Sequence, residues 1–315
     1  MNYKILYGTA MRNIDITSEC MKKCMKENVI RLPPSDFKRA FLFTDPCIDI
    51  LKSILIMDST NNLIGDYDHN TIVYINCDTH EVFTNHKPLP EYIKTLYPDY
   101  TEILKTYHET LQLDYGSFQD EYPEQLLATE YITGNEKILE IGGNIGRNSV
   151  IMGHLLNKHN STNLVTLECC EPIATQLIHN RNKNHLFFHV ECAALSKRTM
   201  YQHTGHWQTV VSDVPIEGHT KLRNISFDEL QTKYNITFDT LVMDCEGAFY
   251  YILKDMPEIL QNIRLIIMEN DYNEIEHKEF VDKCLTESGL QRVHWEAGGW
   301  GPCFDRFYEV WKRLD

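Results

Sequence analysis

A glycine-rich turn is the first feature of this sequence that could do chemistry. Residues 139–146 read LEIGGNIG, so that glycines stand at 142, 143 and 146. Glycines let the backbone turn sharply and let a ligand approach the main chain closely. Dinucleotide sites use the spacing GxGxxG, with the pyrophosphate on the helix N-terminus. The spacing here differs and follows an acidic residue, Glu140, which favours a cationic ligand over a pyrophosphate.

A second acidic residue, Glu168, ends the next apolar run, about 20 residues beyond the turn, where a carboxylate can accept hydrogen bonds from ribose hydroxyls. An ordinary tight turn and a solvated loop carboxylate are the simpler alternatives for the two features. Taken together, they favour a nucleoside-bearing cofactor with a cationic end, and S-adenosylmethionine is such a molecule. The residues expected to contact it are Glu140, Gly142, Gly143, Asn144, Gly146, Glu168, Cys192, Ala193 and Asp244.

Further carboxylates follow two later apolar runs. Asp244 ends the apolar run 240–244, and Glu246 follows it. Glu269 ends the apolar run 265–269, and Asn270 follows it. Because adjacent strands lie about 5 Å apart, these side chains should converge. One hypothesis is general-base catalysis on a hydroxyl by Asp244, Glu246 or Glu269, with Asp244 the first choice. The other is a divalent cation such as Mg²⁺ on Asp244, Glu269 and Asn270, a pattern that resembles catechol-type metal-dependent O-methyltransferases. A simple cap of the following helix is the alternative for Glu246.

The elements that must position these residues follow from the hydrophobic pattern. Continuously apolar runs alternate with helical patterns, which predicts a doubly wound α/β domain whose parallel strands are buried on both faces. The last two runs are joined by a connection, residues 296–303, without room for a helix, so that they must be antiparallel neighbours. A parallel sheet with this ending is typical of class I methyltransferases rather than of Rossmann-type dehydrogenases. The predicted strands are 137–141, 164–168, 186–192, 240–244, 265–269, 290–295 and 304–311, and the predicted helices are 148–157, 172–183 and 248–260.

The first hundred residues have a different pattern. Short β-rich runs are separated by turn residues, and one helix is expected at about 18–26, which predicts a small, mainly β domain over residues 1–100. Two helices, broken at Pro123, should lead from residue 102 to residue 132 into the second domain, which extends over 101–315. The expected strands of the first domain are 3–7, 40–43, 50–57 and 71–75.

Composition limits the partners. The chain has 30 basic and 45 acidic residues, a formal charge of −15, which opposes nucleic acid as the main partner. Its ten cysteines form no CxxC pair, so that we expect reduced packing cysteines and no zinc site. No apolar run marks a signal peptide or a membrane span, and a cytoplasmic protein is expected. The sequence is compatible with a homo-oligomer.

Several segments together resemble the FkbM-type methyltransferases over about residues 115–315. The resemblance implies an S-adenosylmethionine-dependent O-methyltransferase that acts on a hydroxyl of a sugar or another glycosylated small molecule. It also implies that Gln119 and Glu121 lie near the methionine end of the cofactor. Departures from the family pattern are Glu140 for Asp, Gly143 for Ala and Cys169 for Pro. The matching segments are 117–121, 139–146, Glu168, 224–230 and 243–247, the last with the family's Asp-x-Glu-Gly motif.

The whole chain also resembles two-domain proteins encoded by large DNA viruses, which would place it in the host cytoplasm. The segment 199–219, with several aromatic and histidine residues, and Trp300 in a glycine-rich loop are candidates for acceptor binding. Three other functions remain open: a non-catalytic binding or assembly module, an RNA ribose methyltransferase, and a nicotinamide oxidoreductase. The absence of GxGxxG argues against the last, and the acidic strand ends argue against the RNA enzyme.

Overall fold

The computed structural model describes residues 3–205 and 209–314. Contacts within the chain divide it into two units, residues 1–99 and 100–315. None of the helices in the described parts of the chain is long and apolar enough to cross a membrane.

The first unit holds two four-stranded antiparallel sheets, one with the strand order 13–15, 3–8, 53–58 and 63–67 and the other with the order 25–26, 29–32, 73–76 and 82–84. Their inward side chains, such as Ile5, Ile30 and Ile56, form a common apolar core. The elements are β1 Tyr3–Gly8, β2 Asn13–Asp15, α1 Thr17–Lys23, β3 Met25–Lys26, β4 Val29–Leu32, α2 Asp36–Phe43, β5 Ser53–Asp58, β6 Leu63–Tyr67, β7 Val73–Asn76, β8 Val82–Thr84 and α3 Glu91–Leu96.

One predicted strand of this unit, 40–43, is wrong, because these residues belong to α2. Ser35 caps the helix by accepting a hydrogen bond from the Lys38 N–H at 3.4 Å. Arg39 and Phe43, four residues apart, are both buried on one face of the helix. A run of four apolar residues is too short to distinguish a strand from a buried helical segment.

The second unit is built on a seven-stranded sheet with the strand order 189–191, 164–167, 138–141, 240–243, 265–269, 308–313 and 290–296. Its first five strands in this order are parallel, and the sixth is antiparallel to both neighbours. This is the strand order of class I methyltransferases, and the predicted fold class is confirmed. The elements are α4 Tyr100–Thr110, α5 Tyr122–Tyr131, β9 Ile138–Ile141, α6 Arg147–Asn157, β10 Leu164–Leu167, α7 Glu171–Lys183, β11 His189–Glu191, β12 Ala194–Leu195, β13 Met200–His203, β14 Thr209–Val211, β15 His219–Lys221, β16 Asn224–Ile225, α8 Phe227–Tyr234, β17 Thr240–Met243, α9 Phe249–Asp255, β18 Leu265–Glu269, α10 Ile275–Glu287, β19 Leu290–Glu296 and β20 Tyr308–Arg313, with 3₁₀ turns at Pro257–Leu260 and Gly301–Arg306.

The continuous apolar runs are explained by burial on both faces of this sheet. All residues of β9, β10 and β17 are buried. Along β18, Ile266 and Met268 join the core on one face, whereas Leu265 and Ile267 join the core on the other. Strands of this kind show no polar alternation, which is why their pattern predicted a parallel sheet.

Several boundaries in this unit differ from the prediction: β11 covers only His189–Glu191, and α9 ends at Asp255. Pro123 does not break a helix: it lies in the first turn of α5, where proline's missing N–H has no helical partner to lose. The last strand begins at Tyr308 and not at residue 304, because residues 301–306 form a 3₁₀ turn inside the connection that we expected to lack a helix. The antiparallel pairing of the last two strands is nevertheless confirmed.

Candidate active site

The glycine turn joins β9 to α6, and its shape depends on two glycines. Gly142 and Gly146 have φ values of +90° and +91°, a left-handed conformation that disfavours side chains. A Cβ at Gly142 would also lie 1.6 Å from the carbonyl oxygen of Asp244, so that no other residue fits there without backbone movement. Gly143 packs against the side chain of Thr166, 2.1 Å from where its Cβ would be. The turn after β9 therefore packs directly against the backbone that follows β17.

Glu168 is fixed beside this turn by two backbone hydrogen bonds. The Asn144 N–H donates to its Oε2 at 3.0 Å, and the Cys170 N–H donates to its Oε1 at 2.8 Å. Burial raises the pKa of the Glu168 carboxyl, and these hydrogen bonds oppose that rise. Each carboxylate oxygen can accept more than one hydrogen bond, so the group remains able to accept from a ligand hydroxyl.

A cavity of about 710 Å³ opens above this edge of the sheet. Its floor comes from the strand ends of the sheet, and its far wall includes residues of β13 and β14, which belong to the segment proposed from sequence to bind the acceptor. His206 and Trp207 of that segment lie outside the described residues. Of the expected cofactor contacts, those that line the cavity are Gly142, Asn144, Glu168, Ala193 and Asp244, together with the predicted catalytic residue Glu246.

The other expected cofactor contacts have different surroundings. Gln119 is exposed in the segment before α5, and Gly146 begins α6 with Leu177 against it. The Cys192 thiol lies 4.0 Å from the carbonyl oxygen of Cys169 and is outside the lining of the large cavity. Glu121, Glu140 and Gly143 instead line a separate small cavity of about 20 Å³, which also touches Gly142 and Asp244.

Glu121 and Glu140 both have protein partners. The Glu121 Oε1 accepts from Arg147 Nη1 at 2.5 Å and from Asn144 Nδ2 at 3.3 Å. The Glu140 Oε2 accepts from Ser149 Oγ at 2.5 Å and from Thr166 Oγ1 at 2.7 Å. Burial raises the pKa of the Glu140 carboxyl to about 7. Glu140 thus ties β9 to β10 and α6.

A cluster of carboxylates forms where β17 and β18 end. One oxygen from each of Asp244, Glu269 and Asp271 lies within 4.8 Å of the other two. Glu124 on α5 completes the group, because its side chain shares a hydrogen bond with Glu269. Burial raises the pKa values of Asp244, Glu269 and Asp271, and the charges of neighbouring carboxylates raise them further. These groups are proton acceptors and oxygen ligands of the type that hard cations prefer.

The predicted metal ligand Asn270 is replaced in this cluster by Asp271. The Asn270 Nδ2 donates to the carbonyl oxygen of Arg306 at 2.7 Å, and its backbone N–H continues the pairing with the last strand through Phe307 O at 2.9 Å. Side chains alternate between the two sides of extended backbone, so residues 269 and 271 share one side and residue 270 takes the other. That periodicity was the signal in the sequence that would have selected Asp271. Glu124, the other residue missed, is brought in by helix packing and has no such signal.

Glu246 and the closing hairpin also have defined places. Glu246 is exposed and has a left-handed backbone conformation with φ +52°. Because no side chain caps α9, the alternative role of Glu246 as a helix cap is wrong. Trp300 is about half exposed, whereas Trp311 is buried and its Nε1 donates to Glu309 Oε2 at 2.9 Å. Neither tryptophan lines the large cavity.

The chain matches no known family model and no curated protein sequence. Among solved structures, it is similar to a ribosomal protein L11 methylase from Lactobacillus delbrueckii subsp. bulgaricus, with 10% identity, a TM-score of 0.41 and coverage of 64% of this chain and 82% of that one. It is also similar to an O-methyltransferase from Bacillus cereus in complex with S-adenosylhomocysteine, with 17% identity, a TM-score of 0.37 and coverage of 70% of this chain and 96% of that one. A third similar structure is an rRNA methylase from Streptococcus thermophilus, with 8% identity, a TM-score of 0.38 and coverage of 62% of this chain and 95% of that one. Similarity at this level does not extend to a substrate or a reaction.

Proposed function

We propose that this chain is an S-adenosylmethionine-dependent O-methyltransferase that acts on a hydroxyl of a sugar or another glycosylated small molecule. The observation that carries the proposal is Glu168, held by backbone N–H groups at the floor of the large cavity and beside the glycine turn. A fixed carboxylate in this position suits the two ribose hydroxyls of a nucleoside. Gly142 and Asn144 of the turn line the large cavity, so that a ligand bound there can approach the main chain of the turn.

The cationic end of the cofactor would lie toward the carboxylates. S-adenosylmethionine, when bound, supplies an electrophilic methyl group on a positively charged sulfur. Asp244 lines both cavities and belongs to the carboxylate cluster, so the cluster adjoins the floor of the large cavity. Negative charge here attracts a sulfonium and an ammonium group and opposes the phosphate of a dinucleotide.

Asp244 is the first candidate for the proton acceptor in the reaction. An alcohol is a poor nucleophile until a base removes its proton, and of Asp244, Glu269 and Asp271 it is Asp244 that lines the large cavity. The acceptor oxygen would bond to the methyl carbon as the sulfur–carbon bond breaks, and Asp244 would take the hydroxyl proton. Glu246, exposed at the same cavity, and Glu269 are the alternative bases.

The charge and the lining of the cavity support the proposed acceptor class. Carboxylates at its floor repel phosphate groups but accept hydrogen bonds from neutral hydroxyls, which sugars provide in number. Gln202 and Thr209 of the three-stranded sheet β14-β13-β15 add polar groups to the far wall, and Met200 adds apolar surface. We therefore assign acceptor binding to that wall.

The test is methyl transfer itself. The purified chain would be incubated with S-adenosylmethionine and a panel of glycosides, with S-adenosylhomocysteine release and product mass as readouts. We expect transfer to at least one glycoside and a rate about 10²- to 10⁴-fold lower for Asp244→Asn, the usual range for loss of a general base. Transfer to RNA but not to glycosides would refute the acceptor class. S-adenosylhomocysteine binding without transfer to any acceptor would instead indicate a non-catalytic module.

A further inference from the structure

Four buried or half-buried carboxylates from three different elements meet at one point of the second unit. Asp244 follows β17, Glu269 ends β18 and Asp271 follows it, while Glu124 comes from α5 on one face of the sheet. Such a concentration of negative charge repels itself at short range, and burial removes the water that would screen it. A structure that holds these groups together needs either shared protons or a counter-charge.

No basic side chain supplies that counter-charge within the described parts of the chain. Of the ion pairs found there, none involves these four carboxylates; the nearby Arg147 pairs with Asp120 and Glu121. In addition, Glu124 Oε2 and Asp271 Oδ2 are fully buried and have no hydrogen-bond partner, although their residues are only 7% and 5% exposed. Buried carboxylate oxygens are almost always satisfied, so these two are free to accept a ligand inside the cluster.

The spacing of the oxygens fits a cation. One oxygen from each of Asp244, Glu269 and Asp271 lies within 4.8 Å of the other two. Two ligands on opposite sides of a cation are separated by twice the metal–oxygen distance, about 4 Å for Mg²⁺ and about 5 Å for Ca²⁺. Three oxygens at this separation can therefore surround one divalent ion without a change of fold.

We propose that Asp244, Glu269 and Asp271 bind a divalent cation through oxygen, with Glu124 as a fourth ligand. The set is hard and anionic, which suits Mg²⁺, Mn²⁺ or Ca²⁺ and excludes a zinc site of the cysteine and histidine type. A role in catalysis rests on the proposed function: the cation would orient the acceptor hydroxyl and lower the pKa of that hydroxyl. Asp244 would contribute one carboxylate oxygen to the cation, which leaves its other oxygen as the proton acceptor.

The binding can be tested without the reaction. The full chain, treated with a chelator and dialysed, would be titrated with Mn²⁺ and with Mg²⁺ by isothermal calorimetry, and bound Mn²⁺ would be counted by electron paramagnetic resonance. Asp271→Asn and Glu124→Gln preserve shape and remove one negative charge each, so both variants should fold. Glu279→Gln removes the same charge from an exposed position on α10 and is the matched control.

We expect one Mn²⁺ ion per chain and an affinity at least about tenfold lower in each cluster variant, because loss of one strong ligand is worth at least one factor of ten. The control should bind as the unaltered chain does. Absence of Mn²⁺ and Mg²⁺ binding at millimolar concentration would overturn the proposal, as would equal affinity in all variants. S-adenosylhomocysteine binding, measured on the same preparation, separates this failure from failure of the proposed function.

Discussion

The substitution Glu140→Gln should stabilise the protein at neutral and alkaline pH. Glu140 is 3% exposed, and burial raises the pKa of its carboxyl from 4.5 to about 7. The folded protein therefore holds this proton more tightly than the unfolded chain. Stability from this site is complete below about pH 4.5, falls as the pH rises toward 7, and is constant above that value.

The size of the effect follows from the pKa. A rise from 4.5 to about 7, at about 1.36 kcal/mol per pH unit, gives about 3 kcal/mol lost between pH 4.5 and pH 8. A glutamine has no charge to bury, and its carbonyl oxygen can still accept from Ser149 and Thr166. We expect the variant to exceed the original protein by up to about 3 kcal/mol at pH 8 and to match it near pH 4.5.

The assay is urea unfolding from pH 5 to pH 9 for Glu140→Gln and for the exposed control Glu279→Gln. A difference that grows with pH in the first variant and stays near zero in the control would support the reasoning. If the difference between Glu140→Gln and the original protein did not change with pH, the pKa of Glu140 would be the same in the folded and the unfolded chain, and the argument from burial would be refuted.

Three further changes have expected outcomes. Gly142→Ala should lower the free energy of unfolding by at least about 2 kcal/mol in urea unfolding and abolish S-adenosylhomocysteine binding, because its Cβ would meet the Asp244 carbonyl oxygen at 1.6 Å. Gly218→Ala, at φ +72° with nothing within 4 Å of the new Cβ, should cost only about 1 kcal/mol; equal losses would contradict the steric account. Lys278→Ala should destabilise the chain by about 1.5–3 kcal/mol in the same assay, because it removes a buried charged hydrogen bond to Glu309 at 2.7 Å while Arg292, at 2.6 Å, keeps that carboxylate paired; a loss under about 0.5 kcal/mol would contradict it.

The sequence was sufficient for the parts of the fold that depend on repeated patterns. Apolar strands without alternation are buried on both faces, and a short final connection forces an antiparallel pair, so the sheet of the second unit could be predicted. The helix Asp36–Phe43 could not, because its burial depends on Arg39, whose guanidinium donates to three backbone carbonyl groups. A charged residue in a core position has no apolar periodicity to reveal it.

For the site, the sequence predicted the residues that the strand topology brings together but not those that depend on helix packing. The convergence of Gly142, Glu168 and Asp244 follows from the topology of parallel strands, which bring their carboxyl ends to one edge. The position of Asp271 in place of Asn270 required the two-residue alternation to be carried past the end of β18. Glu124 depends on how α5 packs on the sheet, and that packing is a tertiary property that local sequence does not encode.

The central claim concerns the cofactor, and thermal unfolding with S-adenosylhomocysteine or NAD tests it most directly. A ligand that binds only the folded state stabilises it by about 2.7 kcal/mol at one hundred times its dissociation constant. The variant is Glu168→Ala, and Glu171→Ala, the exposed acid that begins α7, is its matched control. We predict that the unfolding midpoint rises with the concentration of S-adenosylhomocysteine but not with NAD. This rise should be smaller in Glu168→Ala and unchanged in Glu171→Ala. No rise at millimolar S-adenosylhomocysteine, or an equal rise with NAD, would contradict the account.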